Sequence, residues 1–123
     1  MIWTFDDFLD RSGESVIEQW FAEVGIEAEA FIERRLKDMR PMRQWPEKWA
    51  SKYKTTELIE LRVTFKKVQY RPLGCYAPGP GFHFWLLAGA IEKGKIPRSD
   101  IENASRRRLM VLNGTARVKE HEF

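Results

Sequence analysis

The chain has 123 residues, 43% of them hydrophobic and 32% charged, which suits one globular domain with a single core. No apolar run reaches the roughly 18 residues of a membrane span, and the acidic start MIWTFDDFLD lacks the basic n-region of a signal peptide. The net charge of +3 hides an asymmetry: residues 1–30 hold eight acids and one base (−7), and residues 31–123 hold twenty bases and ten acids (+10). A basic body of this kind points to an anionic partner, with nucleic acid the leading candidate. The lone Cys75 excludes an internal disulfide and fits a reducing, cytoplasmic setting.

In chain order, Ile2 to Leu9 reads as a short first strand. Ser15, with Glu18 three residues on, forms a capping box for a helix ending near Gly25, with Val16, Trp20 and Val24 on its apolar stripe. A second helix is expected from about Ala28 to Met39, its C-terminal end basic and its end set by Pro41. Residues 40–56 are irregular. Trp45 and Trp49 stand four apart among Lys48, Lys52 and Lys54, a composition found where bases stack and phosphates pair. The same tryptophans also fit as caps on a sheet.

The stretch from Glu57 to Gly94 organises the chain. Ile59, Leu61, Val63 and Phe65 alternate with Glu60, Arg62, Thr64 and Lys66, the period of a strand with one buried face. A tight turn at Lys66 and Lys67 would pair Phe65 with Val68 and Val63 with Tyr70, placing Arg62 directly opposite Arg71. Like charges so placed repel unless an anion or acid lies between them. Either a bound anion or a nearby carboxylate such as Glu60 or Glu57 answers that requirement. Pro78-Gly79-Pro80-Gly81 turns the chain, and Phe82 to Ile91 reads as a central strand covered on both sides. A last helix spans about Ile96 to Leu112, capped by Ser99 or Asp100, with a dense Arg106-Arg107-Arg108 cluster. The domain is expected to close by residue 115, leaving 116–123 as a disordered polar tail in which His121 is a poor catalyst.

The segments ELR, VQYRPLGCYAPGPG and FHFWLLAGAIEKG, followed by a basic helix, resemble the phage-derived branch of the RelE/HigB toxin superfamily over roughly Leu36 to Leu109. These are toxin halves of type II toxin–antitoxin pairs. The resemblance implies an α+β domain in which two N-terminal helices pack on a small twisted, mainly antiparallel sheet with a C-terminal basic helix. It also implies metal-independent cleavage of mRNA on the ribosome and a cognate antitoxin, a helix-turn-helix protein encoded nearby. By that resemblance Arg62 is the strand arginine, Arg71 the phosphate-stabilising arginine of the tyrosine–arginine pair, and Lys93 the basic residue at the end of the last strand. Lys52 and Lys54 match the basic approach to the sheet, and Lys95 joins Arg106, Arg107 and Arg108 as RNA-binding candidates. No tyrosine follows Tyr76 to fill the role of the C-terminal tyrosine in the RelE branch, so His83 or Glu92 stands in as the candidate. The alternative is a non-catalytic or decayed RelE-like protein that only holds RNA or its antitoxin. No cofactor is implied. No Cys/His cluster at metal-ligand spacing, P-loop, GxSxG or GxGxxG occurs.

Overall fold

A computed structural model describes residues 1–123. The strands are β1 (Thr4–Phe8), β2 (Ala50–Lys52), β3 (Ile59–Leu61), β4 (Val63–Phe65), β5 (Val68–Tyr76), β6 (His83–Glu92) and β7 (Val118–Glu120). The helices are α1 (Val16–Val24), α2 (Ile26–Met39) and α3 (Arg98–Leu112). All seven strands join one mixed sheet in the order β2-β3-β5-β6-β1-β7, with β4 also pairing with β5. Every pairing is antiparallel except β1 with β6, which run parallel. The class is α+β, as the periodicities indicate.

The helices divide between the two faces. Helices α1 and α2 cover one face, burying Ile17, Phe21, Ile32 and Leu36 against Phe5, Leu61, Phe84 and Leu86. Helix α3 covers the other, where Ala104 meets Leu73, Cys75 and Leu87. Strand β6 is thus apolar on both sides, which explains its unbroken apolar run. Its alternation slips once. Leu73 pairs with Ala88 but Gly74 pairs with Leu86, so Leu87 is an extra residue in the ladder. Before this bulge the even positions Phe84 and Leu86 face α1 and α2; after it Ala88 and Ala90 face α3. Gly89 then lies under Trp20, and a Cβ there would sit 1.8 Å from the indole Cδ2. Only a residue without a side chain lets α1 approach so closely.

The β4–β5 hairpin has the expected register: Phe65 pairs with Val68, Thr64 with Gln69 and Val63 with Tyr70. Strand β3 keeps the same frame, with Glu60 opposite Leu73. The turn has φ of 49° at Lys66 and 67° at Lys67, both left-handed, as a two-residue hairpin of the primed kind requires. Asn-Gly adopts that geometry easily, and lysine does so at a cost. Lys66 is held by Glu27 at 2.7 Å, whereas Lys67 has no such partner in the structure. Lys67→Gly should therefore raise stability by about 1 kcal/mol in urea titration. A fall in the midpoint would show that the lysine side chain offsets the backbone strain.

Two expectations change here. Helix α3 has Pro97 at its N-cap and no side-chain cap, so neither Ser99 nor Asp100 fills that role. The C-terminal segment is not a frayed tail: β7 pairs antiparallel with β1, and the His121 amide donates to the Phe5 carbonyl. The His121 side chain is fully buried. Its Nδ1 lies 2.9 Å from Asp7 Oδ1, and its Nε2 bonds Glu33 of α2. Polar composition hid this because only one residue of the segment is buried, and its partners lie far away in sequence.

Candidate nucleic-acid interface

Where α2, β2 and the β4–β5 hairpin meet, a groove of about 380 Å³ gathers Arg35, Lys48, Trp49, Arg62, Gln69 and Arg71. Arg35 leaves α2 with its guanidinium 4.3 Å from the centroid of the Trp49 ring, a cation–π arrangement. Its Nη1 donates to the Arg62 carbonyl at 2.6 Å, and the Arg62 amide donates to the Trp49 carbonyl at 2.8 Å. These bonds tie α2, the end of β3 and the approach to β2 into one wall. Burial lowers the Arg35 pKa, and Asp38 opposes that shift.

Arg62 and Arg71 do occupy opposite positions of the common β3–β4–β5 frame, but each has its own carboxylate. Arg62 sends Nε and Nη2 to Glu60 Oε1 at 2.9 and 2.6 Å and remains 40% exposed at its side chain. Arg71 is 7% exposed at its side chain. Its Nε donates to Glu92 Oε1 at 3.0 Å, its Nη2 to Gln69 Oε1 at 2.6 Å and its Nη1 to the Tyr70 carbonyl at 3.1 Å. The repulsion implied by the register is relieved by acids in place, and Glu60 is one of the two named from sequence. Arg71, the phosphate-stabilising arginine of the resemblance, is thus a buried side chain whose three nitrogens each donate within the protein. Glu92 is its ion-pair partner rather than a free acid. Four cations against two carboxylates still leave the groove net positive.

The other expected residues are spread over the surface. Lys93 and Lys95 bridge each other just past the end of β6, and the pairing of Gln69 with Glu92 puts them at the sheet end that carries the Lys66-Lys67 turn. That sheet end carries Lys67, Lys93 and Lys95, together with Lys66 paired to Glu27. Lys52 ends β2 opposite Ile59, and Lys54 lies over the Tyr53 ring at 5.3 Å; both belong to the far end of β2 from Trp49. His83 begins β6, while Arg71 pairs with Ala90 near its end. Seven residues of strand separate the two positions by about 23 Å. His83 bonds Asp6 at 2.7 Å and does not share the groove, so it cannot supply a proton there. Burial raises the Asp6 pKa, and the contact with His83 opposes the rise.

The arginines of α3 lie on the opposite sheet face. Arg107 donates from Nη1 to the carbonyl of Leu87, the bulge residue, at 2.9 Å, and packs over the Phe8 ring at 5.6 Å. It is a structural cation, with its pKa lowered by burial. Arg108 neighbours Cys75, whose thiol burial pushes up to about 11, so no reactive thiolate forms there. Arg106 remains exposed.

Arg35 did not stand out in the sequence as a groove residue, because positions 28, 32, 35, 36 and 39 share the inward stripe of α2. It does face inward, yet its head emerges beside Trp49. Trp45 is indeed a sheet cap: it donates to the Met39 carbonyl at 2.9 Å and stacks on Phe5. Comparison of the chain with protein-family models, curated proteins and solved structures finds no match.

Proposed function

We propose that the chain binds RNA through this groove and acts as a RelE/HigB-like toxin, a metal-independent endoribonuclease directed at mRNA on the ribosome. The observation that carries the reading is the convergence of Arg35, Lys48, Arg62 and Arg71 beside Trp49, with Lys67, Lys93 and Lys95 at the same end of the sheet as Gln69. Arginine forks grip phosphate bidentately, and an indole face supplies a stacking platform. In such a reaction the 2′-hydroxyl attacks the adjacent phosphorus, and guanidinium groups stabilise the charge that develops. Arg62, half open and bound to one carboxylate oxygen, is the residue placed to do so. Support for the reading also comes from the order of elements, two helices before the main strands and a basic helix after them, which is the order the resemblance implies.

A second reading is favoured by specific observations. No tyrosine follows Tyr76, His83 lies far from the groove, and every nitrogen of Arg71 is engaged. On that reading the groove holds RNA or an acidic antitoxin without cleaving. The deciding experiment is single-turnover cleavage of mRNA on programmed ribosomes with several codons in the A site. Codon-dependent cuts establish the toxin, and intact mRNA with well-folded protein assigns the binding role. Co-expression with the product of an adjacent small gene tests the antitoxin; separate elution of the two in size exclusion rejects it.

Both readings share one expected result. If three or four phosphates are neutralised, affinity for single-stranded RNA should follow salt with a log–log slope of about −2 to −3. Between 50 and 200 mM salt the loss is then about thirtyfold by fluorescence anisotropy. A flat titration would show that phosphate does not dominate the contact.

A further inference from the structure

On the acidic side of the molecule, Asp7 of β1, Glu18 of α1, Glu33 of α2 and His121 after β7 converge on one buried imidazole. We propose that Asp7, Glu18 and His121 form a binding site for a divalent transition-metal ion, with Glu33 holding the histidine in place.

The geometry is that of a ligand set. One nitrogen of His121 and one oxygen each from Asp7 and Glu18 lie within 4.8 Å of one another. His121 Nδ1 is 2.9 Å from Asp7 Oδ1 and 3.6 Å from Glu18 Oε1. Metal–ligand bonds of about 2.1 Å imply ligand–ligand edges of about 3.0 Å in an octahedron and about 3.4 Å in a tetrahedron. The two separations to His121 bracket these values, and rotation of the half-exposed Glu18 carboxylate closes the remaining edge of a set that spans up to 4.8 Å. The outer contacts are also those of a metal site. Ligating histidines characteristically give their second nitrogen to a carboxylate. Here Nε2 bonds Glu33, which fixes the ring with Nδ1 towards Asp7 and Glu18. The Ser15 hydroxyl donates to Asp7 Oδ2 at 2.8 Å and orients that carboxylate, so the ion would take the place of the proton now lying between His121 Nδ1 and Asp7 Oδ1.

Charge and access agree with this. Three carboxylates surround an imidazolium, so exchange of its Nδ1 proton for a divalent cation, with the proton released to solvent, offsets one more unit of the negative excess that the fold leaves. A pocket of about 330 Å³ lined by Asp7, Ser15, Glu18, Glu120 and Glu122, with Lys119 as its single cation, opens onto the cluster. It gives an entry path and leaves solvent-side coordination positions free. The imidazole favours zinc, manganese or iron over magnesium and calcium, which prefer all-oxygen sites. Ligand spacing in the sequence could not reveal the set, because positions 7, 18 and 121 come from three separate elements. The ion would also fasten the C-terminal segment to β1 and α1.

The test is calorimetric titration of the tag-free chain, stripped with EDTA and dialysed, with zinc chloride and separately with manganese chloride. One ion per chain is expected, and Mn²⁺ should broaden the His121 imidazole signals in proton NMR. Glu18→Gln is the decisive variant. Its side chain is 47% exposed and its polar approach within the cluster is the 3.6 Å contact with His121, so the fold should persist by circular dichroism. It should weaken binding by about tenfold or more. His121→Gln should abolish binding if it folds. Absence of a one-to-one complex at about 0.1 mM metal, a Kd weaker than physiological use would need, overturns the proposal. So does binding that survives Glu18→Gln but is lost in the Glu120→Gln, Glu122→Gln double variant, which would mark surface chelation.

Discussion

Arg62→Gln should slow mRNA cleavage on programmed ribosomes by about a hundredfold while leaving the protein folded. Glutamine is the informative replacement because Glu60 is 9% exposed at its side chain and needs a donor. Alanine would strand that carboxylate and confuse stability with catalysis. Arg62→Lys should restore only part of the rate, since an ammonium cannot reproduce the planar fork. Arg71→Ala is expected to behave differently. It strips Glu92, Gln69 and the Tyr70 carbonyl of their donors at once. Breaking a buried ion pair costs about 3–5 kcal/mol, and the low end applies here because Glu92 retains 26% exposure. About 3 kcal/mol lowers the melting temperature by roughly 12 °C in a chain of this size. Cleavage within a fewfold of wild type for Arg62→Gln removes Arg62 from the chemistry. An unchanged melting curve for Arg71→Ala removes Arg71 from the scaffold.

Alkali should loosen the C-terminal end first. Burial alone would lower the His121 pKa, but hydrogen bonds and charge attraction from Asp7 and Glu33 outweigh it and push the value up to about 10. Glu18 adds to the same field. A folded-state pKa above the unfolded value of about 6.5 means stabilisation that is complete below that value and disappears as pH rises towards 10. Each unit of difference is worth at most about 1.4 kcal/mol, so the loss between pH 7 and 10 reaches a few kcal/mol. Melting temperature measured in EDTA should fall steadily over that window, and His121→Gln should start lower and fall much less. Parallel pH profiles for the two proteins would sever the histidine from stability.

The features legible in the sequence were those written in short-range pattern. The Ser15 cap, whose hydroxyl accepts from the Glu18 amide, and the Phe65–Val68 register follow from spacing and alternation alone. The site was legible as residue types but not as burial. Nothing local distinguishes Arg62, half open, from Arg71, enclosed, because the difference lies in Glu92 and Gln69 arriving on a neighbouring strand and beside it. His83 shared strand parity with Lys93 in a regular ladder, yet strand length places them at opposite ends and the Leu87 bulge shifts the parity between them. His121 was misread for a related reason: its partners are supplied by β1 and α2, at the other end of the chain.

Strand β1 lies between β6 and β7, so Thr4 waits for His83 and Asp6 for Glu120 before either edge of the first strand is satisfied. Such pairings bear a large loop-closure entropy and come late in folding. During synthesis the hairpin β4–β5 can form from neighbours, but the first strand stays unpaired until β6 has been made and keeps one open edge until β7 follows. Refolding should accordingly show an early hairpin-and-helix phase and a slower one in which the two chain ends meet. Until that second phase is complete, the nascent protein carries an open strand edge and depends on its surroundings to keep it from aggregation.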